Sequence, residues 1–411
     1  MKNWFAFILI IFSLLAVRFT VMTVQPVFEP SEARYAAISA NMARSGNWFV
    51  PEFTYKGTYQ TFAGKPPLVF QASAACCKIF GISQLSVRLI PFISFIILLG
   101  IVYYTVRLGE NAYTARLATG ISATSAALFA TAGFCMMDSS LTCAVSGALL
   151  LYWRFTEMTS KKRRIITVIF IGLLLGLGMM IKGPVALALF GIPALIETTI
   201  NKRWKWSLVL EAFLLLLVIA SISVPYFWAI EQHQSGFIKY FFINENLMRF
   251  LVHDYGDKYG AGRETFRGMA VVWAWVVMLP WSLVPIFKFK GLKIDFRSVF
   301  RCTPLLSGVV IILFWCLTSR VPLAYLLPVV PLFSVGLAVN AKKFLAANIN
   351  LEKLFPWTAL ATSLVLIVSL SCVWFFNNKK LPGESAPPKS RGNYYSYEFY
   401  HHPWGKNAPK Q

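Results

Sequence analysis

Charge is the scarcest thing in this chain. Only 14% of the residues are Asp, Glu, Lys or Arg, where a soluble chain carries about a quarter. Acids are rarer than bases, 17 against 39, and there are 4 His. The seven Cys are scattered, mostly inside apolar runs, with Cys76 and Cys77 adjacent. Neither metal-ligand spacing nor a disulfide framework results. No fixed-period repeat is visible, and the paired halves of many transporters are not apparent. The formal charge of +22 raises nucleic acid as a partner, but no basic helix or aromatic-interleaved groove accompanies it, so nucleic acid is excluded. The first apolar run, Trp4 to about Met22, lacks a small-residue cleavage site and is expected to stay as an anchor.

What fills the chain instead is apolar residue, 57% of 411, with 35 Phe, 16 Tyr and 13 Trp. About eleven runs are long enough to span a bilayer: roughly 4–24, 88–106, 113–134, 139–157, 165–182, 184–200, 208–230, 268–288, 303–318, 322–341 and 356–376. The fold class is therefore an all-α polytopic membrane protein. The run 66–80 is shorter and contains Lys78, so it is expected to be interfacial. With the N-terminus inside, the cytoplasmic connections collect Arg107, Arg116, Lys161 to Arg164, Lys202, Arg203, Lys205, Lys288 to Arg301, Lys342 and Lys343. That is the positive-inside pattern. Two long mixed-charge loops, 25–87 and 231–267, then face the other side, where neither ATP nor a sugar nucleotide is at hand. Residues 1–376 form the membrane domain, and 377–411 is a short tail on the same outer side, too punctuated by Pro and Gly to build a core.

The first loop, EPSEARYAAISANMARSGNW onward to Arg88, is the long polar excursion of the N-terminal half. Ser31 is placed to cap a short helix with Glu32 in its first turn. Tyr35, Ile38 and Met42 make an apolar stripe, and Gly46 is a stop. Such a helix beside a span is expected to lie on the membrane surface; a loop with solvated charges is the plainer alternative. Asp138, in MMDSSLT, falls where the third run turns into the fourth, as a membrane-depth acid or as a helix cap. Lys182, in IKGP, sits at a helix boundary where snorkelling would explain it. Lys65 precedes two prolines that restrict the backbone. The second loop carries Glu245, Arg249, His253 and Asp254; His253 is a ligand, a catalyst or a hydrogen-bonded structural residue. Arg320 and Tyr325 lie at one more outer boundary. Carboxylates Glu29, Glu32 and Asp138 and cations Arg34, Lys65, Lys182 and Arg320 therefore gather on one face. Cations of that kind hold a phosphate and stabilise it as it leaves, and a carboxylate can activate a hydroxyl. A transporter of an anionic solute or a flippase of lipid-linked sugars would need similar charges.

The order EPSEARYAAISANMARSGNW, GKPPLVFQ, MMDSSLT, IKGP, NENLMRFLVHDYG and SRVPLAYLLPVVPL resembles the GT-C glycosyltransferases of the protein O-mannosyltransferase and ArnT-like (lipid A aminoarabinose transferase) family, over about residues 1–345. The resemblance implies a GT-C fold with interfacial helices in the first periplasmic loop. It also implies inverting sugar transfer from a polyprenyl phosphate, commonly undecaprenyl phosphate, at the outer side of the bacterial inner membrane. Membrane lipids and lipid A or another envelope glycan would be partners, with a protein acceptor as the alternative. Glu32 and Asp138 would be catalytic; Arg34, Tyr35, Lys65 and Lys182 would hold donor phosphate; Glu29, His253, Arg320 and Tyr325 would support the acceptor. It fixes no cofactor, and a divalent metal is compatible. Ser31 stands where many relatives have Asp, Arg320 replaces a more usual Lys, and the tail after Asn377 stands where many relatives have a soluble domain.

Overall fold

The computed structural model describes residues 2–28, 30–55, 58–248, 251, 265–283, 302–340, 355–376 and 399. Within these it is mostly helical. Four helices are long and apolar enough to cross a membrane: α1 (Lys2–Val24, apolar from Trp4), α4 (Gln84–Gly109), α8 (Lys161–Lys182) and α10 (Trp206–His233). Shorter apolar helices accompany them: α3 (Leu68–Phe80), α9 (Val185–Ile200) and α13 (Thr303–Cys316), with the single turn α11 (Phe237–Lys239), α12 (Met269–Val277), α14 (Val329–Val339) and α15 (Phe355–Phe376) completing the bundle. The chain is a multi-pass membrane protein.

The centre of the bundle is α7 (Asp138–Glu157), buried along nearly its whole length and packed on α4 and α8. α10 does the opposite. It packs on α8 and leaves Trp206, Leu210, Phe213 and Leu216 more than half exposed, an apolar face of the kind that lipid covers.

The structure revises several sequence expectations. The run 113–134 is not one helix. It is α5 (Ala112–Ala123) and α6 (Ala126–Thr131), broken at Thr124 and Ser125. The break is tolerated because distant groups fill it: Ala126 N–H donates to Leu279 O at 2.8 Å, Trp281 Nε1 to Thr124 Oγ1 at 2.9 Å, and Thr362 Oγ1 to Thr124 O at 2.9 Å. Backbone irregularity at membrane depth needs such partners. The runs 268–288 and 322–341 are likewise shorter as helices, each with a 3₁₀ turn (Trp281–Leu283 and Leu323–Leu326). In the first loop, between the two expected helices, stands a two-stranded antiparallel sheet, β1 (Glu52–Tyr55) and β2 (Thr58–Thr61), with Glu52 opposite Thr61.

The helix α2 (Ser31–Ser45) does form, and Gly46 ends it in the left-handed region at φ 75°. α2 is covered by protein: Glu32, Ala33 and every residue from Tyr35 to Ala43 are buried, against α3, α4 and β1. Pro30, not Ser31, occupies the N-cap, and no side chain caps this helix. The long excursion is thus a packed lid of structure over one end of the bundle.

Candidate active site

Two helix boundaries and two loop elements converge at that end. α8 runs into Lys182, and Gly183 closes it at φ 76°. A side chain at 183 would meet the ring of Phe241 at 2.5 Å, so glycine answers both a backbone and a packing demand there. Phe241 belongs to a π-helix, Tyr240–Met248, a rare element that recurs at functional sites. Lys65 arrives from the first loop, and Arg320 and Tyr325 from the α13–α14 connection. Together, Lys65, Lys182, Glu245, Arg320, Trp315 and Tyr325 line a cavity of about 540 Å³ whose remaining wall is mainly apolar.

Lys182 does not snorkel. It is buried, and its Nζ donates to Asp138 Oδ1 at 2.6 Å while lying 4.0 Å from the centre of the Tyr325 ring. A carboxylate on one side and a π-face on the other fix the ammonium in position. Asp138 is the first residue of α7 and caps nothing with its side chain; Met137 holds the N-cap. The side chain of Asp138 is the buried counter-ion of Lys182 rather than a cap. Tyr325 also packs on Trp315, ring centroids 4.6 Å apart.

Lys65 Nζ donates to Gly64 O at 2.6 Å and to Glu245 Oε2 at 3.3 Å. Glu245 also accepts from Tyr240 Oη at 3.3 Å. Glu245 appeared in the sequence only as one more charge of the second loop. Nothing in a linear pattern marks a π-turn, but its spacing from Tyr240 was a usable hint.

The remaining candidates sit elsewhere or lie outside the described residues. Glu32 is 4% exposed and does not line the cavity. It accepts from Arg88 Nε at 2.8 Å, Phe28 N at 2.9 Å and Cys135 N at 3.0 Å. Arg88, fully buried, spreads its other nitrogens over the carbonyls of Met22, Gln25 and Pro26 at the end of α1. This clasp ties α1, α2, α4 and the turn before Asp138 together. Arg34 lies over the rings of Tyr35 and Phe62, at 5.6 and 5.4 Å. Tyr35 is buried edge-on against Phe70, centroids 5.2 Å apart, and neither residue lines the cavity. Glu29, Arg249, His253, Asp254 and the tail 377–411, apart from Phe399, are outside the described residues. Among the described residues no group of three or more His, Cys, Asp or Glu is arranged to hold a metal.

The cavity therefore offers three cations, one acid on the wall, one acid behind it, and a mainly apolar remainder. That suits an amphiphile with an anionic head.

The family model described as dolichyl-phosphate-mannose-protein mannosyltransferase matches residues 3–241, more than half of the chain. An undecaprenyl phosphate-alpha-4-amino-4-deoxy-L-arabinose arabinosyl transferase of Edwardsiella ictaluri is 27% identical over 306 residues, covering 68% of this chain and 54% of that protein. The chain thus spans about half the length of this curated relative. The crystal structure of ArnT from Cupriavidus metallidurans bound to undecaprenyl phosphate superposes with a TM-score of 0.70 at 19% identity, over 90% of this chain and 72% of that one. The oligosaccharyltransferase of Archaeoglobus fulgidus does so at 0.52 and 14%, over 89% and 56%. At these identities the structures speak for a shared fold, the GT-C fold expected from the motifs.

Proposed function

The chain belongs to the dolichyl-phosphate-mannose-protein mannosyltransferase family, and from that premise we propose that it is a glycosyltransferase using a polyprenyl-phosphate sugar, undecaprenyl phosphate in a bacterium, as donor. The acceptor is lipid A or another envelope glycan. The observation that carries this reading is the convergence of Lys65, Lys182 and Arg320, from three distant segments, on one mainly apolar cavity. The lipid chain lies against the apolar wall, and the cations take the phosphate. The acceptor oxygen attacks the anomeric carbon from the face opposite the phosphate. The carbon–oxygen bond to phosphate breaks, and the phosphate oxygen keeps the electron pair. The configuration inverts. Cations already aimed at that oxygen stabilise the charge as it develops.

An ionised phosphate on lipid A has no proton to lose, so such an acceptor needs no strong base. A hydroxyl acceptor would hand its proton to Asp138, the acid paired with Lys182 beside the cavity. Glu32, held by Arg88 and two backbone N–H groups, serves the reaction by bracing the turn before Asp138. Arg34 and Tyr35 support the first loop. A bacterial inner membrane with the cavity on the periplasmic side fits the distribution of Lys and Arg, which crowd the opposite connections. The family description favours one further reading, in which a protein hydroxyl is the acceptor.

The test uses proteoliposomes supplied with radiolabelled undecaprenyl-phosphate sugars and either lipid A or a Ser/Thr peptide. Label on lipid A, lost in Asp138→Asn and Lys65→Ala, is the expected result. Label on the peptide would assign the protein acceptor. Label crossing the bilayer without transfer would replace the enzyme by a carrier of lipid-linked sugars.

A further inference from the structure

The cavity contains two ion pairs of unequal tightness. Lys182 and Asp138 are 2.6 Å apart, and Lys182 is also held by the Tyr325 ring. Lys65 and Glu245 are 3.3 Å apart, and Glu245 rides on the π-helix. Both members of the second pair line the cavity, whereas Asp138 stands behind Lys182. An anion entering the cavity therefore meets one cation, Lys65, whose partner occupies the same wall that the anion would use.

Charge bookkeeping on the proposed reaction then matters. The donor is a phosphodiester with one negative charge. The product, polyprenyl phosphate, is a monoester carrying about −1.5 to −2 at pH 7. Three cations hold the product more firmly than the donor, which would slow turnover by retention of the leaving group. A carboxylate within reach of Lys65 counteracts this, because it offers the lysine an alternative partner once phosphate loosens.

We infer that Glu245 is an internal competitor of the leaving phosphate: it gives up Lys65 when the lipid phosphate binds and takes it back to speed product release. The inference rests on the proposed lipid-phosphate reading. Glu245 is thus a positioning residue for Lys65 rather than a catalytic one. It weakens phosphate binding by design, so a variant lacking its charge gains affinity, which no loss of structural support would produce.

The experiment measures undecaprenyl phosphate binding to the full chain in lipid nanodiscs, alongside kcat and product inhibition. Glu245→Gln is expected to bind undecaprenyl phosphate about tenfold tighter than wild type, the size of one charge-assisted hydrogen bond, with lower kcat and deeper product inhibition. In a Lys65→Ala background the same substitution is expected to change binding by less than about twofold, since the competition runs through Lys65. Glu245→Asp, shorter in reach and milder for folding, should tighten binding in the same direction if Glu245→Gln is poorly folded. Unchanged or weaker binding in these variants, with wild type binding normally, overturns the inference. Absence of saturable binding to wild type overturns the lipid-phosphate reading itself.

Discussion

Two buried glutamates separate structure from chemistry in this molecule. Glu197 lies towards the far end of α9 from the Lys182–Gly183–Pro184 turn, roughly 20 Å away by helix rise. It is fully buried and accepts from Tyr152 Oη at 2.8 Å, Asn201 Nδ2 at 3.1 Å and Thr303 Oγ1 at 3.1 Å, with Arg203 Nε at 3.3 Å. Glu245 is nearly as buried, but its hydrogen bonds with Lys65 and Tyr240 are both at 3.3 Å and it faces a cavity. Glu197 knits α7, α9 and the start of α13 into one body. Glu245 faces the space into which a ligand's charge would come. Burial of charge alone does not distinguish a site from a strut; what the charge faces does.

Substitutions can sharpen or break this contrast. The largest effect is expected at the cavity. Asp138→Asn should lower sugar transfer per folded molecule about a thousandfold, about 4 kcal/mol, because Lys182 loses its buried counter-ion, which also costs stability. At the opposite end Glu197→Ala should act on stability alone. It removes the shared acceptor of Tyr152, Thr303 and Arg203 and should cost about 3 kcal/mol of stability, read as earlier thermal inactivation, with kcat of the surviving fraction within about twofold of wild type. A large kcat loss there would dissolve the distinction.

Gly183→Ala tests the hinge between the two kinds of region. It imposes a side chain at φ 76° against Phe241, and should weaken donor affinity about tenfold, about 1.4 kcal/mol, by displacing the π-helix whose Phe242, Ile243 and Leu247 form part of the apolar wall of the cavity. The smallest effect is expected for Arg164→Lys. Arg164 grips both oxygens of Glu211 at 2.6 Å, but the pair is partly exposed and should be worth less than about 1 kcal/mol, with transfer unchanged.

The same contrast explains what could be read before the structure. Lys65, Asp138, Lys182, Arg320 and Tyr325 were legible because each interrupts an apolar run at a boundary on one side, and a membrane makes such interruptions expensive. Glu32 carried the same signal but belongs to the clasp. Its partner Arg88 is 56 residues away, and no local spacing announces that pairing. The helix α2 was legible from its stripe and Gly46; its burial was not, because the covering strands and α3 come from later sequence. The break at Thr124 was hidden in a continuous apolar run. Its hydrogen-bonding partners, not its own residues, make it tolerable.

That break has a bearing on how the chain is made. Thr124 meets Trp281 157 residues downstream and Thr362 238 residues downstream. A ribosome delivers α5 and α6 to the membrane long before either partner exists, so the interrupted segment cannot reach its final hydrogen bonding during its own insertion. The N-terminal helices must therefore wait, incompletely sealed, for the C-terminal ones. Chains stopped before Trp281 should be cleared by membrane proteases faster than chains carried past Thr362, which a pulse-chase of the two lengths would measure. The last helices are in this sense the closing stitch of the first.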